Sequence, residues 1–156
     1  MSMSRFVFKL EGVLKHRQRL EQQLQTQVAQ KCHHQQRLRQ DLDGVVHALA
    51  QLQTELRRRL VGRLDAQWLA AQQRYGQSIK HRAAKLQAEL AALDTDIAAV
   101  RQALVDAARQ RKAVQILRQR QQQQWADQQR QRENREHDEA AARVGDQRSS
   151  EANSTL

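Results

Sequence analysis

No proline occurs anywhere in the 156 residues. Proline removes an amide donor and clashes with the preceding helical turn, so its absence leaves every segment free to continue as helix. Aromatic residues make up only 3% of the chain. A compact domain of this length needs more large side chains to fill a core, so the composition argues for a thin rod rather than a globule. Cysteine appears once, as Cys32. That excludes an intramolecular disulfide and fits a reducing compartment. No apolar run approaches the length needed to cross a bilayer. The short run Phe6-Val7-Phe8 meets Lys9 and Glu11 at once, too soon for the core of a signal peptide. A soluble, cytoplasmic protein is expected.

What the chain does contain is Gln, Arg, Ala and Leu. These residues are unbranched at Cβ and lose little rotamer freedom in a helix. Lys and Arg number 27 against 17 Asp and Glu, a net charge of +10. Such a balance favours acidic partners: nucleic acid, anionic lipid or an acidic protein surface.

Two hydrophobic registers carry the fold. Leu10, Leu14, Leu24, Val28, Leu38, Leu42, Val45, Leu49, Leu52 and Leu56 fall on alternating steps of three and four. That spacing keeps a narrow apolar seam on one side of a slightly supercoiled helix. Arg17, Glu21, Lys31 and Gln35 are polar steps on the same seam, so it is weaker toward the amino end. A second register runs through Ile79, Ala83, Leu86, Leu90, Leu93, Ile97, Val100, Leu104, Ala107 and Val114. Arg111 and Arg118 interrupt it, and continued past Gln121 it reaches Trp125.

The registers do not join. Leu56, Leu60 and Leu64 are each four apart, so the first seam drifts off its face. Gly62 can end a helix in a left-handed conformation, and Asp65 can cap a new one. Gly76 is the rival turn position. The expectation is an all-α, long antiparallel two-helix coiled-coil hairpin with the second helix longer. Its segments are a first helix over residues 4–61, a turn at 62–65, a second helix over 66–143 and a disordered tail over 144–156. Folding about residue 64 sets Leu42 opposite Leu86, Leu38 opposite Leu90, Val28 opposite Val100 and Leu24 opposite Leu104. Each arm would be on the order of 90 Å long. The alternative is a parallel dimer of one continuous helix, which the register break disfavours. In the hairpin Arg17 falls opposite Arg111; Glu21, one turn along the seam, is expected to pair with Arg111 across the helices, and Arg17 to turn outward to solvent.

Chemistry-bearing constellations are few. Cys32, His33 and His34 are metal-capable types, but adjacent helical residues point about 100° apart and cannot converge on one ion. His16, His47, His81 and His137 show no ligand spacing. A two-helix hairpin is not expected to offer a concave catalytic site, so no catalytic residue, cofactor or metal is assigned. Two basic clusters remain. Arg57, Arg58, Arg59 and Arg63 precede the turn, and Arg109, Arg111, Lys112, Arg118 and Arg120 form a stretch without acidic residues. Arginine forks suit carboxylate partners. Single-strand nucleic-acid binders usually interleave aromatics with their basic residues, and only Trp125 lies near the second cluster. The run Gln121–Gln124 reads as a neutral, solvated surface.

The opening Phe6-Val7-Phe8-Lys9-Leu10-Glu11-Gly12-Val13-Leu14-Lys15-His16-Arg17 resembles that of the FliJ family of flagellar export proteins. So does the central Leu64-Asp65-Ala66-Gln67-Trp68-Leu69. So do Arg109-Gln110-Arg111-Lys112, Leu117-Arg118-Gln119-Arg120 and Trp125, and the acidic Glu136-His137-Asp138-Glu139 before Arg143. These motifs occur in the family's order and span nearly the whole chain. The Gln-rich carboxyl region departs most from the pattern. The resemblance implies a non-enzymatic, cytoplasmic stalk of the type III export apparatus, peripheral at the inner membrane. It implies docking of the end carrying both termini into a hexameric export ATPase, with Phe6, Phe8, Leu10, Leu14, Arg17, Arg109, Arg111, Lys112, Arg118 and Arg120 as the contact set. It further implies contacts with the export-gate cytoplasmic domain, for which Arg63, Trp68, Leu69 and Tyr75 at the turn end are the candidates, and with export chaperones. The stalks of virulence type III systems are a close second. A monomer without small-molecule ligand is expected. The competing readings are a basic hairpin that binds nucleic acid and a generic coiled-coil scaffold.

Overall fold

The computed structural model describes the backbone of residues 5–153 and the side chains of residues 5–150. It contains two helices, α1 over Glu11–Arg59 and α2 over Ala66–Asn153. The chain is all-α, and the two helices pack as an antiparallel coiled-coil hairpin in which α2 is the longer. Packing divides the chain into two units. One is Arg19–Ala108, and the other joins Met1–Gln18 to Arg109–Leu156.

The unit formed by residues 19–108 contains the turn. α1 ends where Leu60 donates its amide to the Leu56 carbonyl at 3.0 Å. Gly62 then takes φ +136°, a conformation that L side chains rarely adopt. Asp65 caps α2: its Oδ1 accepts the Gln67 amide at 2.9 Å and its carbonyl accepts the Leu69 amide at 3.0 Å. Two apolar clusters fill the seam. Leu38, Leu93 and Ile97 form one, with Cys32, Leu86 and Leu90 against it. Val45, Leu52 and Ile79 form the other, with Leu49, Leu56 and Ala83 among its neighbours. Cross-helix pairs are centred within about three residues of Leu64, as a short turn there requires. The polar steps of the seam find partners across it. Lys31 Nζ lies 3.3 Å from Asp96 Oδ2, and the Gln35 amide donates to Asp94.

Gly76, the rival turn position, lies inside α2. A Cβ there would sit 3.2 Å from Leu52 Cδ2, so the glycine admits a close approach of Leu52.

In the other unit, α1 begins at Glu11 rather than at residue 4. Glu11 donates its amide to the Phe8 carbonyl at 3.2 Å, and Leu14 donates to Leu10 at 2.9 Å. Phe8 and Leu14 are buried. The chain before Glu11 thus folds its aromatic side chains inward instead of extending the helix; Ser4 lies outside the described residues. At the other terminus α2 runs through Asn153, where composition predicts a disordered tail over 144–156. Nothing in that polar stretch breaks a helix. Ser149 and Ser150 donate their hydroxyls back to the Gly145 and Gln147 carbonyls at 2.9 Å. Residues 154–156 lie outside the described set.

Candidate docking surfaces

At the terminal unit the ten candidate contact residues divide by exposure. Phe8 and Leu14 are only 6% and 2% exposed, so they support the end rather than face a partner. Phe6, Arg17, Arg111 and Arg118 are half-buried. Phe6 packs its ring on Trp125, with centroids 6.1 Å apart and planes tilted by 53°. This contact draws the amino-terminal segment onto α2 just past the exposed Gln121–Gln124 run. Arg118 Nε lies 3.3 Å from Glu11 Oε2. Arg17 does not turn out to solvent. It stays half-buried and donates from Nη1 to Gln110 Oε1. Arg111 Nη1 donates to Gln115 Oε1 at 2.7 Å. Glutamine carbonyls thus accept from both guanidinium groups.

Leu10, Arg109, Lys112 and Arg120 are exposed. So are Ile116 and Leu117, each 39%, and Val7 and Val13. Arg109, Lys112, Ile116 and Arg120 follow one another at helical spacing, so one face of α2 mixes cationic and aliphatic side chains. Heptad reasoning passes over Ile116, Leu117, Val7 and Val13. A signal exists nonetheless: an aliphatic residue off the heptad register and flanked by basic residues has no place in the seam.

Near the turn the structure brings together two of the four candidate residues. Arg63 and Trp68 line one small cavity of about 150 Å³ with Arg59, Leu64 and Asp65. The Arg59 guanidinium carbon sits 4.7 Å above the Trp68 ring, a cation–π contact. Leu69 is half-buried. Tyr75 is exposed but lines a different cleft, with Gly44, Val45 and Arg82. The hairpin also offers a concavity that the heptad pattern does not announce. A groove of about 880 Å³ has Leu49, Leu52, Leu56 and Gly76 on its floor and Gln53, Gln73, Gln77, Arg74 and Lys80 around it. On the α2 side its lining includes Ala70, Gln72 and Gly76, none of them a large apolar residue.

Cys32 is half-buried, and its Sγ lies 3.7 Å from Arg101 Nη2. His33 and His34 point to solvent. Among the described residues no three His, Cys, Asp or Glu side chains converge, and no helix is long and apolar enough to cross a membrane.

A helical hairpin whose surfaces offer mixed basic and aliphatic contacts defines the class: a coiled-coil interaction protein. The family model described as the flagellar FliJ protein matches residues 6–150, nearly the whole chain, and the chain belongs to that family. It is a coiled-coil protein of flagellar export, of a family that is a non-catalytic component of that apparatus. Neither a curated protein nor a solved structure matches the chain significantly.

Proposed function

We propose that this protein is the cytoplasmic stalk of a flagellar type III export apparatus and docks its terminal unit into the hexameric export ATPase. The observation that carries the reading is the face of α2 around Arg109, Lys112, Ile116 and Arg120, which is exposed and lies in a stretch with no acidic residue from Arg109 to Arg120. Phe8, Leu14 and the tilted Phe6–Trp125 contact hold the amino-terminal segment on α2. Carboxylates lining the ATPase pore would meet the cations, and the aliphatic side chains would be buried on docking. The export-gate cytoplasmic domain and export chaperones would be further partners. The protein would act as a monomer, held peripherally at the cytoplasmic face of the inner membrane.

The test is ATP hydrolysis by the export ATPase of the same organism. The wild-type chain should stimulate it saturably. Arg109→Glu, Lys112→Glu and Arg120→Glu together should reduce the stimulation at least about tenfold, as loss of several charge pairs at an interface does. Helicity should not change, because all three side chains are exposed. Stimulation that survives the triple reversal would place the docking surface elsewhere. An ATPase indifferent to the wild-type chain would overturn the assignment.

A further inference from the structure

The turn between α1 and α2 is built from residues that turns rarely use. Tight connections favour Gly, Asn, Asp, Ser and Pro, which supply the needed backbone angles or solvate well. Here Gly62 and Asp65 meet the conformational demand by themselves. The remaining positions are Leu60, Val61, Arg63 and Leu64. Leu60 is 56% exposed, Val61 89% and Leu64 47%. Val61 is the most exposed large aliphatic residue among the described residues. None of the three side chains belongs to either core cluster.

Cations ring this apolar turn. Arg57, Arg58 and Arg59 close the last turn of α1, and Arg63 sits within the connection. Part of this charge has a structural use. Glu55 pairs with Arg58 at 3.4 Å and with Arg59 at 2.8 Å, and Arg59 covers Trp68. Asp65 is engaged as the cap of α2. Arg57 and Arg63 make no ion pair among the described residues, and both are exposed. Half-buried Trp68 adds an amphipathic ring one turn behind the aliphatic residues.

We infer that this turn is a docking site for an anionic phospholipid surface. Leu60, Val61 and Leu64 enter the acyl boundary, Arg57 and Arg63 meet headgroup phosphates, and Trp68 lies at headgroup depth. The surface at the turn favours a bilayer over a protein. Leu60 and Val61 are exposed, and the small cavity that Leu64 lines holds only about 150 Å³. A rigid partner would need a matching pocket, whereas a lipid surface deforms around exposed side chains. The inference does not depend on the ATPase reading, which rests on the other unit.

The experiment is flotation of the full chain with vesicles of phosphatidylethanolamine and phosphatidylglycerol, set against neutral phosphatidylcholine vesicles at about 0.1 M salt. The wild-type chain should float with the anionic vesicles and not with the neutral ones. Arg57→Glu with Arg63→Glu should lower partitioning at least about tenfold, because each arginine near an anionic surface accounts for about fivefold. Leu60→Asp with Val61→Asp should lower it comparably. Arg132→Glu with Arg135→Glu makes the same charge change on exposed residues of the other unit and should cost no more than about threefold. Circular dichroism checks that each variant keeps its helicity. Failure of the wild type to float overturns the inference. So does an equal loss from the Arg132 and Arg135 pair, which would reduce the effect to net charge. Turn variants that lose a purified export-gate domain yet still float would also overturn it, in favour of a protein partner.

Discussion

Between residues 19 and 108 the inward seam carries Leu38, Val45, Leu52, Ile79, Leu93 and Ile97, all buried. In the unit that joins the two termini the same periodicity delivers Arg17, Arg111 and Arg118, each half-buried; Arg17 and Arg111 donate to Gln side chains, and Arg118 is ion-paired with Glu11. Apolar burial there rests on Phe8 and Leu14. Aliphatic layers stabilise by removing apolar surface from water, about 25 cal/mol per Å². Layers of hydrogen-bonded polar groups exchange water contacts for protein contacts at little net gain. The difference teaches that one heptad pattern can build both a stable scaffold and a seam that opens at low cost, where a partner can take over the polar contacts.

The largest effect should come from core truncation. Leu52→Ala removes a side chain shared by the Val45–Ile79 cluster and should destabilise the chain by about 2–4 kcal/mol, read from urea unfolding. Leu14→Ala, though it removes the most buried residue, should shift the global midpoint less. Its signature should be faster amide exchange confined to residues 11–18 and 109–118. Equal global cost at both positions would break the comparison.

Two glycines sharpen it at a smaller scale. Gly62 holds φ +136°, so Gly62→Ala should cost about 1–2 kcal/mol through backbone strain at the turn. Gly12 lies inside α1 with nothing within 4 Å of its would-be Cβ. Gly12→Ala should therefore stabilise the terminal segment, by up to about 1 kcal/mol. Thermal melts of the two variants should move in opposite directions.

The smallest effect belongs to the ion pairs. The Lys31–Asp96 pair has side chains 33% and 65% exposed, and the Arg118–Glu11 pair 44% and 39%. Asp96→Ala and Glu11→Ala should each cost no more than about 1 kcal/mol, and both costs should shrink with added salt. A loss well above that at Glu11 alone would mean that the ion pair, rather than Phe8 and Leu14, fixes the start of α1.

Much of the hairpin is legible in the amino-acid order. Spacing in threes and fours at Leu38, Val45 and Leu52 names an inward face because a helix repeats on that period, and those residues are buried. The drift at Leu56, Leu60 and Leu64, with Gly62 and Asp65 at hand, marks where the chain reverses. The family's motifs likewise stand in order along nearly the whole length. The helix ends are less legible. Propensity alone extends α1 back to residue 4 and ends α2 before the polar tail, yet α1 starts at Glu11 and α2 continues through Asn153.

Composition and periodicity by themselves determined an all-α hairpin, because unbranched residues on a heptad repeat with one break admit few other folds. Tertiary structure alone decided what the polar and aromatic residues do. Phe6 on Trp125, Arg17 on Gln110, Lys31 on Asp96 and Arg59 on Trp68 each depend on a partner brought near by the fold-back or the turn. A one-dimensional pattern carries the period of a face. It does not carry which side chain stands across from it at hydrogen-bonding distance, and that pairing separates a supporting residue such as Leu14 from an available one such as Lys112.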